Sequence, residues 1–491
     1  MLKFFRCGRP APLTYLYQSE TKVPVNRIDQ DAVDFAPDIS GLDKRDFSKK
    51  LGRKLRKSRL ALYKIQDMDQ SALIYPLVVV QMQNSISPSI LKELNGGFDR
   101  IKFRKLCFAP NLYLMYNFRN ADQAGNLYNL IEARRLTDNT LVIFAELQYT
   151  PITDDQLIAL VHGREKTTFD LSDRGYLTTL GLNRITPEDQ TINGKAIAII
   201  DAGFHEKEAL IWPPVSEKYS GFFDINGTFF QRPQEIPQHY HGIMCAELVK
   251  QAASREHLIF LANADKNDYA PPFAIAEAIA HSAQHECLGE DSGGADVIVC
   301  SLRDANTRVG VAIRSIWLAV KYANQNGRFG KGTPVFWAAA DESSSGRVSS
   351  LPEVIAVGAT NQLGTTSVGT RANNKMDFSA PGQKITIDQY TDTGTSFAAP
   401  LAAGLAARIL ANYPNLSHLE LRAILRLTCI KLAGYPYEND RNNQTGYGLM
   451  NYPAALKLAG QFNHKEQPYV DNVQAMVCQI KAEIDSATPP C

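Results

Sequence analysis

The chain has 491 residues, a formal net charge of +1, 44% hydrophobic residues and 21% charged residues. This balance excludes a disordered or collagen-like chain, and it excludes a globally basic field of the kind that draws nucleic acid. At roughly 100–200 residues per domain, the length leaves room for two to four packed units.

No stretch approaches the ~20 consecutive apolar residues of a membrane span. The opening MLKFFRCGRPAPLTYLYQ has early Lys and Arg but no continuous apolar core, so no secretory signal is read there and a cytoplasmic location is expected. The cysteines are Cys7, Cys107, Cys245, Cys287, Cys300, Cys429, Cys478 and Cys491, scattered and in no CxxC pair. Reduced thiols are therefore expected, and no zinc spacing is present.

Residues 1–70 read as an irregular polar segment that ends in a basic run, KRDFSKKLGRKLRKS. Phe47, Leu51 and Leu55 recur at i, i+4 and i+8, the spacing of a short amphipathic basic helix. Such a helix is either a solvated face or a dock for an anionic membrane or nucleic acid; the solvated reading is preferred, and no nucleic-acid partner is expected.

Residues 75–150 form the next unit. YPLVVVQM reads as a strand, and PSILKELNG as a helix stopped by Gly96 and Gly97. RIKFRKLCF and NLYLMYNF are two strands, the second alternating at Leu112 and Leu114. ADQAGNLYNLIEARRL is helical and TLVIFAELQ closes with a strand. The order βαββαβ predicts a small ferredoxin-like α+β domain.

A connector, 151–189, leads to a region of different character. KAIAIID, EHLIFLANAD, ADVIVCSL, TPVFWAAAD and EVIAVGAT are short, nearly continuous apolar runs with helical segments between them. Runs of this kind suit strands buried on both faces of a parallel sheet, which predicts an α/β domain over 190–462. Residues 463–491 read as a polar tail.

Three residues of this domain carry chemistry. Asp201 ends the strand KAIAII, where an open α/β sheet has its crevice; a lone strand-end Asp also caps turns. His241 opens the helical HGIMCAELVKQAA, with Met244, Cys245 and Leu248 toward the core; on local grounds His239 competes with it. Ser396 opens a helix in GTSFAAPLAAGLAARIL, with Pro400 tolerated in the first turn. A serine at a helix N-terminus meets unsatisfied N–H donors and the positive dipole end, which favour a nucleophilic oxygen and a developing oxyanion. Together the three supply nucleophile, base and orienter.

GTSFAAP resembles the GTSxAAP nucleophile motif of subtilisin-like serine peptidases, HGIMCAEL resembles their HGTxVAG segment, and IAIIDAG is similar to their strand-Asp-(Ser/Thr)-Gly motif, with Ala202 in the middle. The chain order Asp, His, Ser is also theirs. ADVIVCSL, SSLPEVIAVGAT, MDFSAPGQKI and GYGLMNYPAALKLA have counterparts in family order, so the resemblance spans about residues 190–460.

The resemblance implies a subtilisin-like parallel sheet flanked by helices. It also implies a serine endopeptidase that acts on polypeptides through an Asp201–His241–Ser396 triad and an acyl-enzyme, with no cofactor. It places Ser301, Leu302, Arg303, Ala338, Ala339 and Ala340 beside the P1 side chain. It implies that the 75–150 unit, similar in order and position to a prodomain, inhibits the site intramolecularly, with ELQYTP along the cleft.

Two departures stand out. The family's AAGN segment supplies an oxyanion-hole Asn, whereas AAAD here puts Asp341 at that place, beside the Ser396 backbone donor. An ionised Asp341 would repel the oxyanion and a protonated one would donate to it; some proprotein-convertase members are similar in carrying Asp there. Ser301-Leu302-Arg303-Asp304 lacks the family's glycines, and Arg303 either pairs with Asp304 or favours an acidic substrate group. These departures motivate an alternative, a catalytically weak pseudopeptidase that binds peptides or a partner protein. Asp265 and Asp268 in NADKNDYA offer oxygen ligands without EF-hand spacing, and no metal is expected.

Overall fold

The structure, a computed structural model, describes residues 12–13, 15–18, 21–28, 43–65, 71–85, 101–137, 141–152, 179–180, 196–201, 221–223, 229–231, 241–253, 257–262, 271–284, 294–302, 313–340, 346–370, 375–387 and 390–487. Two large sheets organise them. The first is antiparallel and seven-stranded: β1 (Tyr15–Gln18), β2 (Thr21–Arg27), β3 (Ala61–Ile65), β4 (Ser71–Met82), β5 (Lys102–Lys105), β6 (Leu112–Tyr116) and β7 (Val142–Ile152). Its order is β1-β2-β3-β4-β6-β5, with β7 along the opposite edge of β4.

Strands β4 to β7 and helix α2 (Ala121–Thr137) form the expected α+β unit. The helix read over 88–96 lies outside the described residues. The described part of residues 1–70 is not irregular. It adds the β1–β2 hairpin, helix α1 (Lys44–Ser58) and β3 to the same sheet. These strands are short and diluted with polar residues, which hid them, yet Leu13, Leu16 and Val25 are buried in the unit's own core.

Helix α1 follows its apolar spacing. Asp43 caps it by accepting from the N–H groups of Arg45 and Asp46 at 3.0 and 3.1 Å, and Phe47, Leu51 and Leu55 are buried.

The second sheet is eight-stranded, with order β10-β9-β11-β8-β12-β13-β14-β15. Its strands are β8 (Ala196–Asp201), β9 (Gly221–Phe223), β10 (Phe229–Gln231), β11 (His257–Ala262), β12 (Val297–Cys300), β13 (Val335–Ala338), β14 (Ile355–Thr360) and β15 (Phe378–Pro381). Every pairing is parallel except that of β10 with β9.

Side chains alternate to opposite faces. Ile197, Ile199, Val297 and Val299 pack with α3 (His241–Ala252) and α6 (Thr395–Asn412). Ala198, Ile200, Ile298 and Cys300 pack with α4 (Pro272–Gln284) and α5 (Arg314–Asn326).

From β8 the chain builds β9, β10 and β11 on one side, then crosses to β12 on the other. The carboxyl ends of β8 and β12 therefore flank the point where strand order reverses, which is where such sheets place their sites.

The antiparallel sheet covers α4 and α5. Tyr75, Leu77, Val79, Leu112, Leu114 and Phe144 share one core with Phe273, Ile279 and Ile316. Glu146 accepts from the N–H groups of Arg314 and Ser315 at 2.8 and 3.2 Å and from the Ser315 hydroxyl at 2.7 Å. Gln148 accepts from the Phe273 N–H at 2.8 Å. One strand, β7, thus caps the starts of two helices in the other unit.

The polar-tail reading of 463–491 also fails. After α7 (His418–Leu427) and α8 (Tyr452–Asn463), residues Tyr469–Asp485 form α9. Its Val473, Met476, Val477 and Ile480 are buried at i, i+3, i+4 and i+7. Glu483 takes a bidentate pair from Arg426 at 3.0 and 2.9 Å, and Arg426 and Arg422 both donate to buried Asp377 at 2.7 Å. Burial alone would raise the Asp377 carboxyl; the two guanidiniums override it and hold it at about 2.

The thiol reading needs one correction. Cys107 is disulfide-bonded, whereas Cys245, Cys300, Cys429 and Cys478 are free. The fold brings Cys107 a partner that no sequence spacing announces. Among the described residues, no helix is long and apolar enough to cross a membrane.

Candidate active site

The parallel strand β8 runs apolar to its last residue, so Asp201 is delivered to the sheet's carboxyl edge while staying 1% exposed. His241 is the first residue of α3, and its Nδ1 lies 2.8 Å from Asp201 Oδ1.

Ser396 is the second residue of α6. Its hydroxyl donates to the Ser301 carbonyl at 3.3 Å, and the Ser301 hydroxyl donates back to the Ser396 carbonyl at 2.9 Å. This reciprocal clasp ties the end of β12 to the start of α6. Thr395 adds a bond from its hydroxyl to the Ala339 carbonyl at 2.7 Å, and Trp337 Nε1 donates to the Leu302 carbonyl at 3.1 Å.

Helices α3 and α6 bring histidine and serine to one place. Gly404 sits against α3, where an added Cβ would meet the Ala252 Cβ at 2.7 Å and the Val249 carbonyl oxygen at 2.9 Å. The glycine permits that approach. At the other end, the His241 and Phe397 ring centroids are 5.8 Å apart. Cys245, one turn into α3, completes the contact. Its thiol donates to the Ser396 carbonyl at 3.4 Å and lies 3.8 Å from His241 Nδ1.

Two opposing influences act on His241. Burial by itself would lower the His241 pKa, yet the adjacent Asp201 carboxylate and its hydrogen bond lift it well above the ordinary 6.5. Burial, with the Asp201 charge, pushes the Cys245 thiol up to about 11. Asp201 is the larger source of the lift on His241, and Cys245 the smaller.

Of the residues expected from sequence, Asp201 and His241 meet directly, and Ser396 stands beside them through Phe397 and Cys245. Ser301 and Leu302 follow β12, and Ala338, Ala339 and Ala340 end and follow β13, around the start of α6. Arg303, Asp304, Asp341, His239, Asp265 and Asp268 lie outside the described residues. Sequence reasoning put Cys245 in the core and missed its place at the site. The available signal was its position four residues after His241 on the same helix face. The clasp made by the Ser301 side chain carried no signal at all.

A carboxylate, an imidazole and a helix-start serine at the switch point of a parallel sheet define an α/β protein of subtilisin-like architecture. The chain belongs to the subtilase family, whose model matches residues 193–448. It is 34% identical to the minor extracellular protease Epr of Bacillus subtilis over 134 residues, which is 26% of this chain and 19% of that protein. It is 33% identical to a calcium-dependent protease of Trichormus variabilis over 214 residues, 34% of this chain and 32% of the relative. The matched segments thus span a third or less of these two relatives' lengths.

Among solved structures, fervidolysin from Fervidobacterium pennivorans, a keratinolytic enzyme related to subtilisin, superposes with a TM-score of 0.55 at 16% identity, over 78% of this chain and 61% of its own. The epidermin leader peptide processing serine protease from Staphylococcus aureus gives a TM-score of 0.51 at 16% identity, over 79% of this chain and 99% of its own. At these identities the likeness is one of fold.

Proposed function

We propose that the chain is a serine endopeptidase. Ser396 attacks a peptide carbonyl, His241 takes the hydroxyl proton and passes it to the leaving amine, and Asp201 holds the imidazole and stabilises its charged form. The acyl-enzyme is then released by water, with His241 again as base. The Ser396 N–H lies in the first turn of α6, where helix geometry leaves it no internal acceptor, and it is the proposed donor to the oxyanion, with Asp341 a second donor if protonated. The substrate runs past Ser301–Arg303 and Ala338–Ala340.

The observation that carries this reading is the 2.8 Å Asp201–His241 contact beside a serine clasped at a helix start. In the resting arrangement the Ser396 proton points at the Ser301 carbonyl. It swings to His241 Nε2 when substrate fills the cleft, as catalytic contacts commonly tighten only in the bound state. The test is turnover of a peptide library by the wild type and by Ser396→Ala. Wild-type hydrolysis that Ser396→Ala abolishes supports the reading. Equal hydrolysis by both, or none by either, returns the chain to the pseudopeptidase reading that Asp341 motivates.

The N-terminal unit is proposed as a built-in inhibitor that docks through β7. Glu146 and Gln148 support this, because they complete the starts of α5 and α4. The unit that docks is larger than 75–150 and takes in β1 to β3.

A further inference from the structure

Helix α1 has no part in the proposed activity, and its charge is lopsided. Lys44–Ser58 carries eight lysines and arginines against the single acid Asp46, a surplus of seven in a chain whose formal net charge is +1. At about 3.6 residues per turn, buried Phe47, Ser48, Leu51, Gly52 and Leu55 occupy one side of the cylinder. The other side is cationic. Seven residues from Arg45 to Lys57 are exposed, and every one is lysine or arginine; Asp46, less exposed, lies among them. The fold extends this face. Just past α1, exposed Arg59 donates to the Phe118 carbonyl at 3.4 Å, and its own carbonyl accepts from the Ala121 N–H at 3.0 Å, which sets exposed Arg119 beside it.

A face built only to be solvated mixes both signs, with acids four residues before lysines. Asp46 and Lys50, 2.7 Å apart, form such a pair. Arg45–Lys49, Lys49–Arg53 and Arg53–Lys57 instead repeat like charges at that spacing, each a small cost to the helix. Among the described residues these four cations have no acidic partner. An external anion removes the cost. We propose that this face docks the N-terminal unit onto an anionic phospholipid bilayer.

The shape and chemistry of the face select that partner. The apolar side of α1, which an interfacial helix would sink into lipid, is already buried in the protein's core. Contact therefore lies at the level of the headgroups. What α1 presents to them is a cationic strip about 22 Å long, suited to a plane of phosphates. The exposed set holds no asparagine, glutamine or aromatic side chain to read or stack a nucleic-acid base. The attraction is electrostatic, worth about fivefold in affinity for each cation near the headgroups, and salt screens it within about 10 Å.

The experiment uses the full chain carrying Ser396→Ala, so that self-cleavage does not interfere. It measures co-sedimentation with vesicles of phosphatidylcholine alone or mixed with phosphatidylglycerol. Binding is expected on the mixed vesicles, absent on the neutral ones and lost as salt rises. Arg53→Gln should weaken it about fivefold, and Lys49→Gln, Arg53→Gln and Lys57→Gln together on the order of 100-fold. All three side chains are exposed, so the fold does not depend on them. Removing the same charge elsewhere, by Lys457→Gln, Lys465→Gln and Lys481→Gln at exposed positions, should leave binding as it was.

Equal binding to both kinds of vesicle, or equal weakening by the two triple variants, overturns the proposal. A duplex oligonucleotide that strips the protein from the mixed vesicles at equal phosphate concentration overturns the bilayer in favour of nucleic acid. The proposal does not rest on the peptidase reading, because binding is read in a chain without the Ser396 hydroxyl.

Discussion

The two halves of this chain spend their buried polar groups differently. The antiparallel unit sends Glu146 and Gln148 out of β7 to cap helices in its neighbour. The subtilase region keeps Asp201, His241, Ser301 and Ser396 together at its own switch point. One half sends its polar groups across the contact and the other gathers them at one edge of its sheet. The difference also governs how each reads in sequence. A parallel strand buried on both faces is almost wholly apolar, as β8, β12, β13 and β14 are, whereas β2 mixes in threonine, lysine and arginine, β3 carries a lysine and β1 ends on glutamine.

The comparison breaks most sharply at the triad. His241→Ala should lower turnover by about 10⁴–10⁶-fold, because triad members act as a unit. His239→Ala should leave most activity, and the opposite pattern in steady-state assays would reassign the base. Next comes the oxyanion. Removal of one donor costs about 10²–10³ in turnover, so Asp341→Ala should lose that much and Asp341→Asn should keep a donor. Superimposable pH–rate profiles for wild type and both variants would place Asp341 outside the chemistry.

A smaller effect tests the docking half. The separate N-terminal unit, residues 1–152, should slow cleavage when added in trans. Glu146→Ala should weaken that inhibition about 10- to 100-fold, the worth of a lost charge-assisted hydrogen bond. Equal inhibition by both would detach the helix caps from the inhibitory role.

The smallest effect is a displaced titration. The raised His241 pKa means that the imidazole is still protonated where an ordinary histidine is neutral. Activity should therefore fall, as pH drops, from a midpoint above 6.5. The sign for stability is the reverse: the ion pair stabilises the fold below the unfolded histidine pKa, and the gain is lost as pH rises through the folded one. NMR titration of the ring in Ser396→Ala, beside a double variant with Asp201→Asn, should show the midpoint move down when the carboxylate is removed. Coincident curves would contradict the assignment of the lift to Asp201.

The parallel sheet and the positions of Asp201, His241 and Ser396 were legible because burial and helix starts leave strong local patterns. What escaped depended on contacts distant in sequence. Helix α9 alternates Val473, Met476, Val477 and Ile480 with acidic and amide residues, so its period was masked until α7 supplied the surface it covers. Glu146 read as part of a run bound for the cleft, but its carboxylate turns to the start of α5, 168 residues away. Cys245 meets Ser396 across the α3–α6 contact, which Gly404 keeps close at its other end.

The central claim, that Ser396 is a nucleophile activated by His241 and Asp201, is tested most directly by intact-mass analysis after exposure to a fluorophosphonate. Wild type, Ser396→Ala and Asp201→Asn are treated side by side, and the adduct is located by peptide mapping. The expected result is one adduct on Ser396 in the wild type, none in Ser396→Ala and a much slower one in Asp201→Asn. An unlabelled wild type, or an adduct that persists in Ser396→Ala, would contradict the account.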